Sequence, residues 1–225
     1  MIPLRDENPT HITPYVNYAL IALNILVYIY QQFLAPDPEV FVMEYALIPA
    51  QLLQNFDLGN IFRLFSSMFM HGGLLHIGGN MLYLWIFGDN VEDAMGHGRY
   101  LIFYLLGGLL ASAVHIITSP GSQVPTLGAS GAIAAALGAY LILFPQSRVL
   151  SLIPLGFFMR LTLVPAIIVL GLWFVLQLFQ GVMSLGGPDV GGVAFWAHIG
   201  GFAVGFLLAK LFANRELHGR MPRWQ

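Results

Sequence analysis

The chain has 225 residues and a net charge of −2, with 57% hydrophobic and only 9% charged residues. Soluble domains carry roughly 25% charged residues, so the composition excludes a soluble globule, a disordered chain and a coiled coil. The weak charge gives no basic face for nucleic acid. The absence of cysteine excludes disulfides, a thiol nucleophile and a thiolate zinc site. We interpret the chain as a polytopic membrane protein.

Six apolar stretches are candidates for the roughly 20-residue helices that cross a bilayer. In chain order they are residues 15–34, 74–87, 100–118, 127–144, 161–183 and 192–212. None alternates apolar and polar residues as a barrel strand would, so we predict an all-α membrane protein with six transmembrane helices. The first stretch is too long and too apolar for a signal-peptide core, which predicts a retained helix.

The positions of lysine and arginine predict the orientation of the chain. With both termini in the cytoplasm, eight of the nine basic residues lie in inner segments, and only Arg63 lies outside. Segment 35–70, between the first two spans, mixes acidic with many apolar residues, which predicts that part of it lies in the membrane interface. The tails, about 1–13 and 214–225, are short, so we expect one transmembrane domain over residues 1–225.

Three of the spans carry polar residues that are costly in hydrocarbon and therefore normally face a partner or a cavity. His76 and Asn80 lie in the second span, Ser130 in the fourth and His198 in the sixth. In the predicted orientation these spans all run from outside to inside, and the four residues fall at similar depth in the outer half of the bilayer. A shared site explains this agreement, whereas independent structural roles do not require it.

The residue types at this depth suit nucleophilic catalysis. A serine hydroxyl needs a base to take its proton, and neutral histidine is the usual base near pH 7. We therefore predict a dyad of Ser130 and His198, because no acidic residue lies at their depth to complete a triad. His76 and Asn80, one helical turn apart, could donate to the oxyanion together with the backbone N–H of Ser130.

Small residues on the fourth and sixth spans predict that these two helices pack closely. They recur four apart at Gly131, Ala135 and Ala139 on one span, and at Gly201 and Gly205 on the other. Such spacing lets helices approach in lipid. It could bring Ser130 within hydrogen-bond reach of His198.

At these residues the chain resembles the rhomboid family of intramembrane serine proteases, and the resemblance covers nearly the whole chain. The matching motifs are Gly128-x-Ser130-Gly131, Ala197-His198-x-x-Gly201-x-x-x-Gly205, His71 followed by His76 and Asn80, and Gly88-x-x-x-Glu92-x-x-x-Gly96. The resemblance implies the compact six-helix bacterial form, with a membrane-embedded loop between helices one and two. It also implies a bacterial-type plasma membrane.

The resemblance further implies the role of each site residue. Ser130 would be the nucleophile and His198 the general base, while His76 and Asn80 would help form the oxyanion hole. The substrates would be transmembrane segments of other proteins in the lipid bilayer, cut near the outer face. The fifth span and the loop 185–192 would form a lateral gate and cap. No cofactor and no metal are expected.

Two positions depart from the family pattern. The family often has a tyrosine one turn after the serine, stacked on the histidine, where this chain has Ala134. His198 is therefore held either by another ring or more loosely. The family's Trp-Arg pair in the first loop is Phe62-Arg63 here, and Arg63 can still bond loop carbonyls with its forked donors.

Several alternative interpretations remain open. The chief rival is a catalytically inactive relative that binds membrane clients, although such proteins typically lose the serine or the histidine. A small transporter or proton channel would spread polar groups across the bilayer, and a haem cytochrome would need facing histidine pairs. His71 either tethers the loop or takes part in the chemistry. Glu92 and His115 are predicted to be structural.

Overall fold

The computed structural model describes residues 1–156, 158–185 and 193–214. Four helices in this part of the chain are long and apolar enough to cross a membrane: Tyr15–Leu34, His97–Thr118, Ala166–Ser184 and Phe195–Phe212. A shorter apolar helix covers Ser130–Leu143. The mostly helical, multi-pass character of the chain is thus confirmed, while the count of six spans stays a prediction.

The described residues form helices connected largely by short loops. In chain order the helices are α1 (Tyr15–Ile29), which continues as a π-helical turn (Tyr30–Leu34), α2 (Pro38–Tyr45), α3 (Pro49–Gln54), α4 (Leu58–Ser66), α5 (Leu74–Tyr83), a π-helical segment (Leu84–Gly88), α6 (Asp89–Met95), α7 (His97–Thr118), α8 (Ser130–Leu143), α9 (Ala166–Ser184) and α10 (Phe195–Phe212). A 3₁₀ turn (Ser67–Phe69) follows α4.

The segment between α1 and α5 folds into three short helices, and aspartate side chains cap two of them, α2 and α4. The Asp37 side chain accepts hydrogen bonds from the first N–H groups of α2, and Pro38 occupies the first turn, where a missing N–H costs nothing. Asp57 caps α4 in the same way through the N–H of Asn60, at 2.8 Å. These caps satisfy backbone donors that would otherwise be unpaired at the starts of α2 and α4.

Arg63 joins the parts of this segment, as its forked donors predict. Its Nε donates to the carbonyl of Glu44 at 2.9 Å, and its Nη1 donates to Oε1 of Gln51 at 2.5 Å. The hydroxyl of Ser66 adds a bond to the carbonyl of Tyr45 at 2.7 Å. The predicted bonding of a loop carbonyl by Arg63 is therefore confirmed.

Helix α8 lies at the centre of the fold, with 11 of its 14 residues buried. Its backbone meets that of α10 directly: a Cβ added to Gly205 would lie 2.5 Å from the carbonyl carbon of Ala135, and one added to Gly201 would overlap the Gly131 carbonyl. On another side, a Cβ at Gly131 would lie 2.9 Å from that of Ala111 in α7. The predicted close approach of the two helices is confirmed.

A three-stranded antiparallel sheet accompanies the helices, so the all-α prediction was incomplete. Its order is β1 (Ile2–Asp6), β2 (Arg148–Leu155), β3 (Phe158–Pro165). The fifth apolar stretch, predicted as helix from residue 161, is strand up to Pro165 and helical only from Ala166. Hydropathy alone does not separate an apolar strand from a helix, and pairing with β2 decides here.

Glu92 holds the start of α1, which confirms its predicted structural role. Its fully buried carboxylate accepts the N–H groups of Val16 at 3.0 Å and Asn17 at 2.7 Å, and it pairs with Nδ1 of His97 at 2.5 Å. A negative charge at a helix N-terminus is also favoured by the helix dipole. The Asn17 side chain in turn donates to the Leu84 carbonyl in the π-helical segment.

Candidate active site

Ser130 and His198 meet where α8 and α10 begin. Ser130 is the first residue of α8, and His198 lies in the first turn of α10. The Oγ of Ser130 and the Nε2 of His198 are 2.7 Å apart. The close backbone contact one turn further along, at Gly201, leaves no room between the helices and so brings the two side chains together. The predicted contact between Ser130 and His198 is therefore present.

The second nitrogen of the His198 ring contacts α9. Nδ1 lies 2.6 Å from Oε1 of Gln177, and the ring of Trp173 lies 5.9 Å from the imidazole, centroid to centroid, at 36°. With the amide oxygen facing the ring, Nδ1–H donates to Gln177, and Nε2 is left to accept the Ser130 hydroxyl proton. Sequence reasoning missed Gln177, although a polar residue inside an apolar span was the available signal.

Ala134 stands where the family often has a tyrosine, so α8 provides no aromatic ring beside His198 at this position. Ala134 is fully buried, and its Cβ would lie 3.2 Å from a Cβ placed on Gly201. Its small side chain thus belongs to the helix contact. Of the two possibilities left open by the sequence, another ring is the one found, and that ring is Trp173 of α9.

His76 and Asn80 face the site from α5. The Nδ1 of His76 accepts the N–H of Gly72 at 3.3 Å, which leaves the proton on Nε2. A Cβ on Gly128, whose φ is +132°, would lie 2.9 Å from this Nε2 and 3.5 Å from the Oγ of Ser130. Only glycine suits this backbone and this space. The side chain of Asn80 is buried, and its Nδ2 has no hydrogen-bond partner within the described residues.

His71 lies behind His76 and is tied to the π-helical turn that follows α1. Its buried ring packs edge-on against His76, with centroids 5.1 Å apart. Its backbone carbonyl accepts from Nε2 of Gln31 at 2.8 Å, and its N–H donates to Oε1 of the same side chain at 3.2 Å. These contacts fit the tethering interpretation of His71. Gln31, at the end of the first apolar stretch, was not predicted.

A cavity of about 760 Å³ lies between α5, α7, α8 and α10. Ser130, His198, His76 and Asn80 all border it, so the predicted site residues share a single space. His115 also borders it and bonds through Nε2 to the Thr126 hydroxyl at 3.0 Å. A cavity of this size accommodates a small ligand or a short stretch of peptide. The predicted cap loop lies mostly outside the described residues.

Comparison with known proteins decides the family. Residues 58–215 match the model of the Rhomboid domain. The chain belongs to the rhomboid family. This confirms the resemblance carried by the sequence motifs, and the four long apolar helices agree with a rhomboid membrane protein.

Three rhomboid proteins from different organisms are similar in sequence to this chain. It is 34% identical over 151 residues to Rhomboid protease GluP of Bacillus subtilis, covering 67% of this chain and 26% of that protein. It is 32% identical over 161 residues to RHOMBOID-like protein 5 of Arabidopsis thaliana, covering 72% and 47%. It is 29% identical over 137 residues to Rhomboid protein 1, mitochondrial, of Saccharomyces cerevisiae, covering 59% and 38%. The match thus spans less than half of each relative.

Proposed function

We propose that this rhomboid protein is an intramembrane serine endopeptidase that cleaves transmembrane segments of other membrane proteins near the outer face. The observation that carries the proposal is the 2.7 Å contact between the Ser130 Oγ and the His198 Nε2, at the wall of a cavity. The similarity to Rhomboid protease GluP of Bacillus subtilis supports this chemistry. The substrates are bilayer-embedded proteins, and the reaction uses no cofactor or metal.

The chemistry begins with proton transfer from the Ser130 hydroxyl to Nε2 of His198. As the proton leaves, Oγ bonds to the carbonyl carbon of the scissile peptide, and its oxygen becomes an oxyanion. The imidazolium then gives its proton to the leaving nitrogen, the C–N bond breaks, and Ser130 carries the acyl group. A water activated by the same histidine hydrolyses the ester and restores the hydroxyl.

Three donors are placed to stabilise the oxyanion. They are Nδ2 of Asn80, which is buried without a partner among the described residues, Nε2–H of His76 and the backbone N–H of Ser130. Ser130 starts α8, and the first N–H groups of a helix have no intrahelical acceptor. An unpaired buried amide is costly in the resting protein, but it is pre-positioned for the charge that forms in the transition state.

The membrane arrangement belongs to the same proposal. Besides the four long helices, the α5–α6 run and α8 complete six spans in one domain, with both termini in the cytoplasm of a bacterial-type plasma membrane. The segment α2–α4 lies in the outer interface. Its outward apolar side chains support this placement, since Phe56 is 78% exposed and Leu58 is 85% exposed. Helix α9 with the following loop forms the substrate gate.

The proposal is tested on purified protein in liposomes with a single-span model substrate. We expect cleavage within or beside the span, identified by mass spectrometry of the new termini, and complete loss of cleavage in Ser130→Ala and His198→Ala. Ser112→Ala is the matched control, because Ser112 borders the same cavity, whereas the hydrogen bonds of His198 within the described part of the chain go to Ser130 and Gln177. Normal cleavage by Ser130→Ala would refute the assigned nucleophile.

A fluorophosphonate probe separates this enzyme from its chief rival, an inactive client-binding protein. Labelling of Ser130 that disappears in His198→Ala supports a serine activated by histidine. Unlabelled wild-type protein that still retains membrane clients would favour the rival. Asn80→Ala should keep the labelled serine but slow cleavage by roughly 10- to 1000-fold, because it removes one donor to the oxyanion.

A further inference from the structure

Gln177 of α9 is the one polar side chain that reaches His198 on the side away from Ser130, within the described residues. We propose that Gln177 is a positioning residue that holds the imidazole as the Nδ1–H tautomer and fixes its orientation toward Ser130. The inference rests on the proposed protease function, since it assigns the third member of that site. Gln177 itself touches neither the substrate nor the reacting atoms.

The need for such a residue follows from the chemistry of imidazole. Neutral histidine carries its proton on either nitrogen, and only the form with Nδ1–H leaves Nε2 free to accept from Ser130. An acceptor beside Nδ1 selects that form, and the 2.6 Å contact with Oε1 of Gln177 supplies one. The same contact grows stronger when the ring becomes imidazolium, because hydrogen bonds to charged donors are stronger.

The choice of glutamine suits the surroundings. Serine proteases in water place a carboxylate behind the histidine, but a buried carboxylate is costly at membrane depth. A neutral amide oxygen still accepts the Nδ1–H bond at a smaller desolvation cost. This explains how the site manages without an acidic residue at the depth of Ser130 and His198.

The position of Gln177 is set by one face of α9. Trp173 lies one turn before it and contacts the rings of His198 and Phe202, at 5.9 and 6.1 Å. Gly181 lies one turn after it and is buried against Ile199, whose Cδ1 would be 2.9 Å from an added Cβ. The glutamine is thus held between two contacts with α10, and α9 must lie against α10 for the acceptor to be in place.

A consequence concerns the movement of α9. Most of its other residues are exposed apolar side chains, so α9 is bound to the bundle mainly by this single face. A displacement of α9 away from α10 would remove the acceptor and the Trp173 ring from His198 together. The orientation of the base is therefore coupled to the position of α9.

The first test measures the tautomer and does not depend on proteolysis. Protein labelled with ¹⁵N-histidine is studied by NMR in detergent, and His198 is assigned with His198→Ala. We expect Nδ1–H in the wild type and in Gln180→Met, a matched control on the exposed side of the same helix. Gln177→Met, similar in size but without an acceptor, should lose it. An unchanged His198 signal in Gln177→Met would overturn the inference.

The second test separates positioning from packing. Gln177→Met should lower kcat by about 10- to 100-fold, the effect of losing a hydrogen bond to a charged group, with KM unchanged. Gln177→Glu keeps an accepting oxygen and should recover most of the rate. Equal loss in both variants would overturn the inference. A wild type without any cleavage would instead refute the proposed function, while the NMR result would still decide the role of Gln177.

Discussion

The contact between α8 and α10 makes a quantitative prediction for Gly205→Ala. The added Cβ would lie 2.5 Å from the carbonyl carbon and 2.6 Å from the Cα of Ala135. Carbon atoms rest at about 3.5–4.0 Å. Both neighbours are backbone atoms that cannot rotate away, so the helices must separate by about 1 Å.

That separation acts on both stability and chemistry. Overpacking of this kind lowers the free energy of unfolding by about 3 kcal/mol. The higher helix propensity of alanine offsets about 1 kcal/mol of this, so the net decrease is about 2 kcal/mol. For a protein of this size the loss corresponds to a fall in Tm of about 4–8 °C. The 2.7 Å contact between Ser130 and His198 would also stretch by about 1 Å, beyond hydrogen-bond length, and cleavage should fall by roughly 100-fold.

The assay compares Gly205→Ala with Gly171→Ala in detergent, by thermal unfolding and by cleavage of the same substrate. Gly171 lies within α9, and a Cβ there meets nothing within 4 Å, so this variant gains helix propensity without a clash. We expect Gly171→Ala to unfold at or above the wild-type temperature and to cleave normally. Identical behaviour of the two variants would refute the prediction, because the structure would then have accommodated the added methyl group without moving the helices.

Two further predictions concern the buried carboxyl groups of Asp6 and Glu92. Burial raises the pKa of the Asp6 carboxyl to about 7, although the Tyr140 hydroxyl donates to it at 2.6 Å. The protonated Asp6 carboxyl therefore makes its full contribution to the free energy of unfolding below the unfolded pKa of 3.8, and this contribution is lost as the pH rises through about 7. The loss is at most about 4 kcal/mol. The free energy of unfolding of Asp6→Asn, measured between pH 5 and 8, should not show this decrease. The same pH dependence in the variant and the wild type would contradict a raised pKa at Asp6. Glu92→Ala should lower the free energy of unfolding by about 2–4 kcal/mol, because it leaves the N–H groups of Val16 and Asn17 without an acceptor. Glu92→Gln keeps an accepting oxygen and should cost less. Denaturant titration in detergent measures both variants, and equal losses would contradict the capping role.

Local signals were sufficient for much of the fold. The close approach of α8 and α10 was predicted because the glycines Gly201 and Gly205 recur at a fixed helical spacing. The caps at Asp37 and Asp57 were not predicted, although they too act between near neighbours in the chain. Caps of this kind can therefore be predicted from sequence. The strand β3 could not, since its residues are as apolar as a helix, and its partner β2 in turn pairs with β1 near the other end of the chain.

The site residues likewise fall into two groups, those predicted from the sequence and those found only in the structure. Ser130 and His198 were predicted from residue type and from shared depth along their helices, which depend only on the sequence. Gln177 and Trp173 were not, because their value depends on which face of α9 meets α10. No pattern within the sequence of α9 predicts which of its faces contacts α10.

The sequence by itself determined that the chain is a membrane protein, which family it resembles and which residues bear the reactive groups, because hydropathy and motif spacing are properties of the chain. Only the tertiary structure decided which atoms meet. The 2.7 Å contact of Ser130 with His198 and the acceptor from Gln177 arise where three helices pack at the distances that their small residues permit. Packing is a relation between segments distant in the chain, and it becomes visible only when the helices are assembled.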